Sequence, residues 1–207
     1  MKGSSNKLNG SWVAIGLAIF SIAYHDQSVC QDSSLNIKDR DGNIYSIKIM
    51  ADNRTWMTSN LNINIPGSYC YDNSETNCKQ FGRLYTWAAA QEGCELLGEG
   101  WHLASRDEWL QLARAFGGMY GDSNDSGRTA FKGLLLNGGS DFNALLGGGR
   151  EEYIDKYARI NAHGFYWTST ETDNQYSWFI NFGKGSGRVY CQNDGEKPRA
   201  FSVRCIK

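Results

Sequence analysis

Six cysteines constrain this chain more than any other feature: Cys30, Cys70, Cys78, Cys94, Cys191 and Cys205. No two stand in a C-x-x-C spacing, so neither a zinc ribbon nor a thioredoxin-type dithiol is available. An even number of cysteines behind an export-type leader points to disulfides formed in an oxidising compartment. Cys70 and Cys78 enclose the short polar stretch Tyr71-Asp-Asn-Ser-Glu-Thr-Asn77, a ring suited to a local bridge.

The leader is legible. Lys2 and Lys7 are the only charges ahead of the apolar run Trp12–Phe20, which extends weakly to Ala23. A basic start followed by an apolar stretch of about 7–15 residues is the pattern of a signal peptide. The stretch falls short of the roughly 20 residues that span a bilayer. Ser21 and Ala23 suit cleavage after Ala23, which makes 1–23 a signal peptide. Cys30 offers the alternative processing site, as the lipidated cysteine of a lipoprotein, and membrane attachment is then through a lipid anchor alone. Residues 24–37 read as a polar tether and 38–207 as one domain, as expected for a chain of 207 residues. Lysine plus arginine is 21 against 22 acidic residues; such a balance lacks the basic face that nucleic acid requires. Seven Trp, 11 Tyr and 9 Phe with 24 Gly and 2 Pro favour short strands and glycine-shaped loops over a helical bundle.

Along the domain, Asn43–Met50 alternates apolar and polar as a strand does, and Arg54–Asn60 reads as its return. Residues 62–83 read as loop. One helix is expected from Leu84 to about Leu97. A second is expected over Ser105–Phe116, where Ser105 and Glu108 are spaced as a capping box and Trp109, Leu110, Leu112, Ala113 and Phe116 form a core stripe. Residues 121–163 read as loop-rich. Within them Asp122-Ser-Asn-Asp125-Ser-Gly127 imitates a calcium loop but has Gly133 where a bidentate acid belongs, and Gly147-Gly148-Gly149 reads as backbone turning. The candidate strands of the last third are 165–170, 177–182, 188–192 and 201–206.

Several segments recur in a recognisable order. They are Asp41-Gly42-Asn43, Trp56-Met57…Asn60-Leu61, Cys70-Tyr71-Asp72-Asn73…Cys78, Phe81-Gly82-Arg83-Leu84-Tyr85, Gly100-Trp101-His102-Leu103, Gly148-Gly149-Arg150, Tyr166-Trp167-Thr168-Ser169 and Phe201-Ser202-Val203-Arg204-Cys205. Together they resemble the Fibrobacter succinogenes major paralogous domain, a family of exported bacterial domains, over roughly residues 38–207. One departure is the absence of a Cys-Pro pair near Trp101; here the cysteine is the earlier Cys94. The same region is similar to C-type lectin-like domains. That similarity implies an α+β, loop-rich fold with two helices flanking small antiparallel sheets and adjacent N- and C-terminal strands. It also implies a Cys94–Cys205 bridge closing the domain. Cys30 and Cys191 are left without an assigned partner.

Chemistry is scarce. His102, between Trp101 and Leu103, reads as a packed, hydrogen-bonded side chain, and His163 has no evident partner. No nucleophile elbow is present. The Gly100–Trp109 stretch also resembles formylglycine-generating oxidases, which use two nearby thiols with copper. Here Cys191 and Cys205 are far apart in sequence, and Cys205 is claimed by Cys94 in the lectin-like scheme. The lectin motifs Glu-Pro-Asn and Trp-Asn-Asp are absent. No catalytic residue, metal or cofactor is therefore expected. The expected function is binding or adhesion at the cell surface, or in secreted form, toward a glycan or protein ligand. The candidate contacts are Tyr176, Trp178, Tyr190, Gln192, Asn193 and Arg199, because aromatic and amide side chains on turns suit stacking and hydrogen bonding. Trp178, Ile180 and Phe182 equally fit the inward face of a strand. A third possibility is ligand display diversified by a retroelement, since 172–194 is rich in Asn, Asp, Ser, Tyr and Gly.

Overall fold

The structure is a computed structural model that describes residues 1–3, 35–152 and 156–207; the account below concerns the unit Ser33–Lys207. Apart from residues 1–3, the expected signal peptide lies outside the described residues, as do its cleavage site and Cys30.

The elements run in chain order β1 (Leu35–Lys38), β2 (Ile44–Ile49), β3 (Thr55–Met57), β4 (Ser68–Tyr69), α1 (Glu75–Phe81), β5 (Leu84–Tyr85), α2 (Trp87–Glu95) and β6 (His102–Leu103). There follow α3 (Arg106–Arg114), α4 (Arg128–Leu134), β7 (Gly149–Arg150), β8 (Tyr157–Ala158), β9 (His163–Glu171), β10 (Tyr176–Gly183), β11 (Arg188–Glu196) and β12 (Cys205–Ile206). A five-stranded antiparallel sheet has the order β1-β2-β3-β12-β6, so strands from both ends of the domain are neighbours. A second antiparallel sheet has the order β11-β10-β9. The β1–β2 turn is held by buried Asp39, whose carboxylate accepts from the backbone N–H groups of Asp41 and Asn43 (2.9 Å each) and from Tyr45 Oη. An aspartate bonding its own following backbone is a standard way to fix a turn.

Two devices tie the last strand to the body of the domain. Cys94 of α2 is bridged to Cys205 of β12, as the lectin-like similarity implied. One residue earlier, Arg204 is fully buried. It donates to Asn60 Oδ1 (2.6 Å) and to the carbonyls of Met57 (3.0 Å), Phe142 (2.6 Å) and Asn143 (2.7 Å). Its guanidinium lies 4.8 Å from the Phe142 ring centroid. A buried cation is tolerated only when its donors are satisfied. Here carbonyls and ring faces do this, and burial lowers the arginine to about 10.

Several local expectations are corrected. The helix expected from Leu84 begins at Trp87, because Leu84 and Tyr85 pair with Tyr69 and Ser68 and Thr86 caps the helix by accepting from Ala89 N–H. The flanking helices number four among the described residues, not two. Helix α1 lies inside the stretch read as loop, its first turn within the ring closed by Cys70–Cys78. Helix α4 lies inside 121–163, and the loop that imitates a calcium site is its cap: Asp125 accepts from Gly127, Arg128 and Thr129 N–H and from the Thr129 hydroxyl. These donors, the Thr129 hydroxyl first, hold Asp125 down at about 2. Asp122 is paired with Arg114 at 2.8 Å. The capping box of α3 forms as read, Ser105 accepting from Glu108 N–H and Glu108 from Ser105 N–H. His102 is not packed: strand alternation buries Trp101 and Leu103 and turns His102 outward, 3.2 Å from Glu108 Oε1. Burial alone would raise Glu108, but Ser105 and His102 together hold it below the ordinary carboxylate value.

Candidate functional site

Alternation along β9–β11 gives the sheet two unlike faces. The pairs Ile180↔Tyr166, Ile180↔Cys191 and Phe182↔Val189 line the first face. Tyr166, Ile180, Phe182 and Val189 are fully buried there, with Trp109 of α3 and Phe131 of α4 in the same core. The second face carries Phe165 opposite Asn181, and Phe179 opposite Gln192. Phe179, two residues before Asn181 in continuous register, shares this face, and a register shift between Ser177 and Phe179 ends the regular pairing.

The second face opens into a pocket of about 200 Å³. Its floor is a triangle of rings: Phe165, Phe179 and Phe201 lie 5.1–6.0 Å apart by centroid. One wall is a row of hydrogen-bonded side chains. His163 Nδ1 donates to Asn181 Oδ1 (2.9 Å), and Asn181 Nδ2 donates to Gln192 Oε1 (2.7 Å). His163, expected to be without a partner, also stacks on Phe165 at 5.3 Å and 15°. The opposite wall comes from β7 and β8. A side chain at Gly149 would meet the Phe201 ring at 3.0 Å and Phe165 at 3.3 Å; the glycine lets β7 lie against the floor. At the rim, Arg199 pairs with Glu151 (2.7 Å) and Glu196 (2.9 Å), and Asp194 and Arg159 complete the lining. The pocket continues through a depression bounded by Glu152, Lys156 and Glu196. It ends in a third bounded by Tyr176, Asn174, Lys197 and Pro198.

The six expected contacts separate. Gln192 and Arg199 line the pocket, and Tyr176 lines the far end of the trough. Asn193 is exposed outside the pocket; its carbonyl accepts from the Thr172 hydroxyl. Trp178 is half-buried with the Arg106 guanidinium 4.5 Å above its ring. Tyr190 stands 5.1 Å from the exposed Tyr120, and the Ser186 hydroxyl, helped by Arg188, lowers its phenol. Sequence reasoning missed Phe165 and Asn181. Phe165 and Asn181 read as strand interior, and only the register puts them beside Gln192.

Other reactive groups are engaged or suppressed. Cys70, Glu75 and Cys78 lie within reach of one ion, but the two sulfurs are bonded to each other and Arg83 donates to both. Cys191 is the free thiol among the described residues. Burial pushes it up to about 11, away from the reactive thiolate. No described helix is long and apolar enough to cross a membrane.

No curated protein matches the chain, and no solved structure does. A family does match, over residues 48–207, a stretch that takes in the buried Arg204, the bridged Cys94 and Cys205, the α3 capping box and the whole pocket lining. The chain belongs to the Fibrobacter succinogenes major domain family.

Proposed function

We propose that this is an exported or surface-attached domain that works by binding a glycan or protein ligand, in the trough that begins at Gln192 and Arg199. One observation carries the reading: an aromatic floor, reached through the half-buried Phe165 ring over buried Phe179 and Phe201, lies under amide, carboxylate and guanidinium groups held in place by one another. Such a mixture of apolar base and few fixed polar groups is the usual make-up of a binding pocket. The two disulfides fit an oxidising compartment. The finer assignment, a C-type lectin-like fold, is supported by the bridge from α2 to the last strand and by the pairing of strands from both chain ends in one sheet. The oxidase alternative needs two neighbouring thiols, whereas Cys205 is bridged and Cys191 is held protonated.

Retroelement-diversified display is a second reading, favoured by the position of Asn181, Gln192 and Asp194: all three line the pocket and all fall within residues 172–194. A variable near-copy of that coding segment beside a reverse-transcriptase gene is its signature.

Screening the oxidised full chain on a glycan array and a peptide array tests the binding reading. Hits are expected on one of the two, lost in Asp194→Arg at the pocket mouth. Hits that survive this variant, or none on either array, contradict it.

A further inference from the structure

We infer that the pocket between β7 and the second face of the β9–β11 sheet holds one neutral sugar ring, gripped directly by protein side chains. The inference rests on the binding reading above and names its ligand class.

Size comes first. About 200 Å³ lies below the ~300–1,000 Å³ of pockets for drug-sized ligands, so the pocket takes one ring, with neighbours in the adjoining trough. Charge comes second. The lining has two acids, Glu151 and Asp194, and two bases, Arg159 and Arg199. Arg199 is further neutralised by Glu196 at 2.9 Å. A site for a sulfated, phosphorylated or carboxylated ring would carry an excess of bases; this one does not.

Hydrogen-bond direction comes third. The relay from His163 through Asn181 uses Gln192 Oε1 as an acceptor, which leaves Gln192 Nε2 with two donors for the pocket. Asp194 makes no side-chain hydrogen bond or ion pair among the described residues and supplies acceptors beside them. Donors alternating with acceptors match adjacent hydroxyls, since each hydroxyl both donates and accepts. The Phe165 ring, held by His163 stacking, offers its apolar surface to the C–H face of the ring. Metal bridging does not fit this lining. Calcium takes about six to eight oxygen ligands, and of the two lining carboxylates Glu151 is already committed to Arg199.

The test is a set of ¹H–¹⁵N NMR titrations of the oxidised full chain. The probes are the methyl glycosides of glucose, galactose, mannose and N-acetylglucosamine, with glucuronate and N-acetylneuraminate as charged counterparts. At least one neutral glycoside should shift the side-chain amides of Asn181 and Gln192 and the backbone of 192–194, unchanged by EDTA. The charged sugars should bind about tenfold more weakly or worse. Gln192→Ala should weaken the neutral sugar about three- to tenfold, with the remaining amide peaks in place to show that the variant is folded. Tighter binding of a charged sugar, or loss of binding in EDTA, overturns the inference. Silence from every neutral glycoside also overturns it. If peptide-array hits are then lost in Asp194→Arg, the binding reading survives; if the arrays are silent too, both fall.

Discussion

The two faces of the β9–β11 sheet are made by the same three strands and do opposite things. On the first face, Tyr166, Ile180, Phe182 and Val189 are sealed among Trp56, Trp109 and Phe142, whose rings meet edge to face at 5.0–5.7 Å. On the second, Phe165, Asn181 and Gln192 line the pocket; the Asn181 amide is bonded to His163 and Gln192, and Gln192 Nε2 is left facing the pocket. One face thus carries stability. The other packs Trp167 and Phe179 into a second core and carries, beside them, the pocket in which we propose that a ligand binds. Asn181 and Gln192 of the second face should be replaceable at little cost in stability; Trp167 and Phe179, buried on that face, and the side chains of the first should not.

The largest effect should come from the frame that supports both faces. Bridging Cys94 to Cys205 spans 111 residues and Cys70–Cys78 only 8. By loop-closure entropy these are worth about 5 and about 2.5 kcal/mol at most. Urea unfolding of Cys94→Ala/Cys205→Ala should therefore show the greater loss than Cys70→Ala/Cys78→Ala, and the reverse order would locate the main closure elsewhere. Next, Phe182→Ala should cost about 3–5 kcal/mol, a fall of about 10 °C in melting temperature for a domain of this size. A loss under ~1 kcal/mol would mean that the first face relaxes freely and that the contrast between faces is false.

A smaller effect is tied to acid. Asp125 caps α4, which packs against the first face, and its carboxyl sits at about 2 against an ordinary 3.8. A depressed folded value stabilises when the group is ionised. The contribution is therefore complete above about pH 4 and is lost as pH falls toward 2. Amide exchange in α4 should rise over that window ahead of exchange in β9–β11, and Asp125→Asn should remove the difference. Uniform exchange across α4 and the sheet would show that the cap does not act locally.

How much of this the sequence discloses depends on how local the cause is. The α3 capping box, the small cysteine ring and the alternating strand β2 have their causes within a few residues, and each is legible. Helices α1 and α4 are short and polar at their starts. The Asp125 that caps α4 stands in an Asp-Asn-Gly-rich segment that imitates a metal loop, so the cap is read as something else. The site is legible in part: Gln192, Arg199 and Tyr176 stand out as polar or aromatic residues on turns. Asn181 and Phe165 do not, because each alternates with buried apolar neighbours and reads as strand interior, and only the pairing across β9–β11 puts them beside Gln192. Trp178 reads as a contact until Arg106, 72 positions away, covers its ring. No pattern within one segment announces a pairing of that range.

The most direct test measures thermal melting and array binding on one sample of Gln192→Ala/Asp194→Ala. The account predicts a melting temperature within about 2 °C of the parent chain, as for surface substitutions worth under ~0.5 kcal/mol, together with loss of the array hits. A double variant that melts much earlier, or that binds as the parent does, would contradict the division of labour between the two faces.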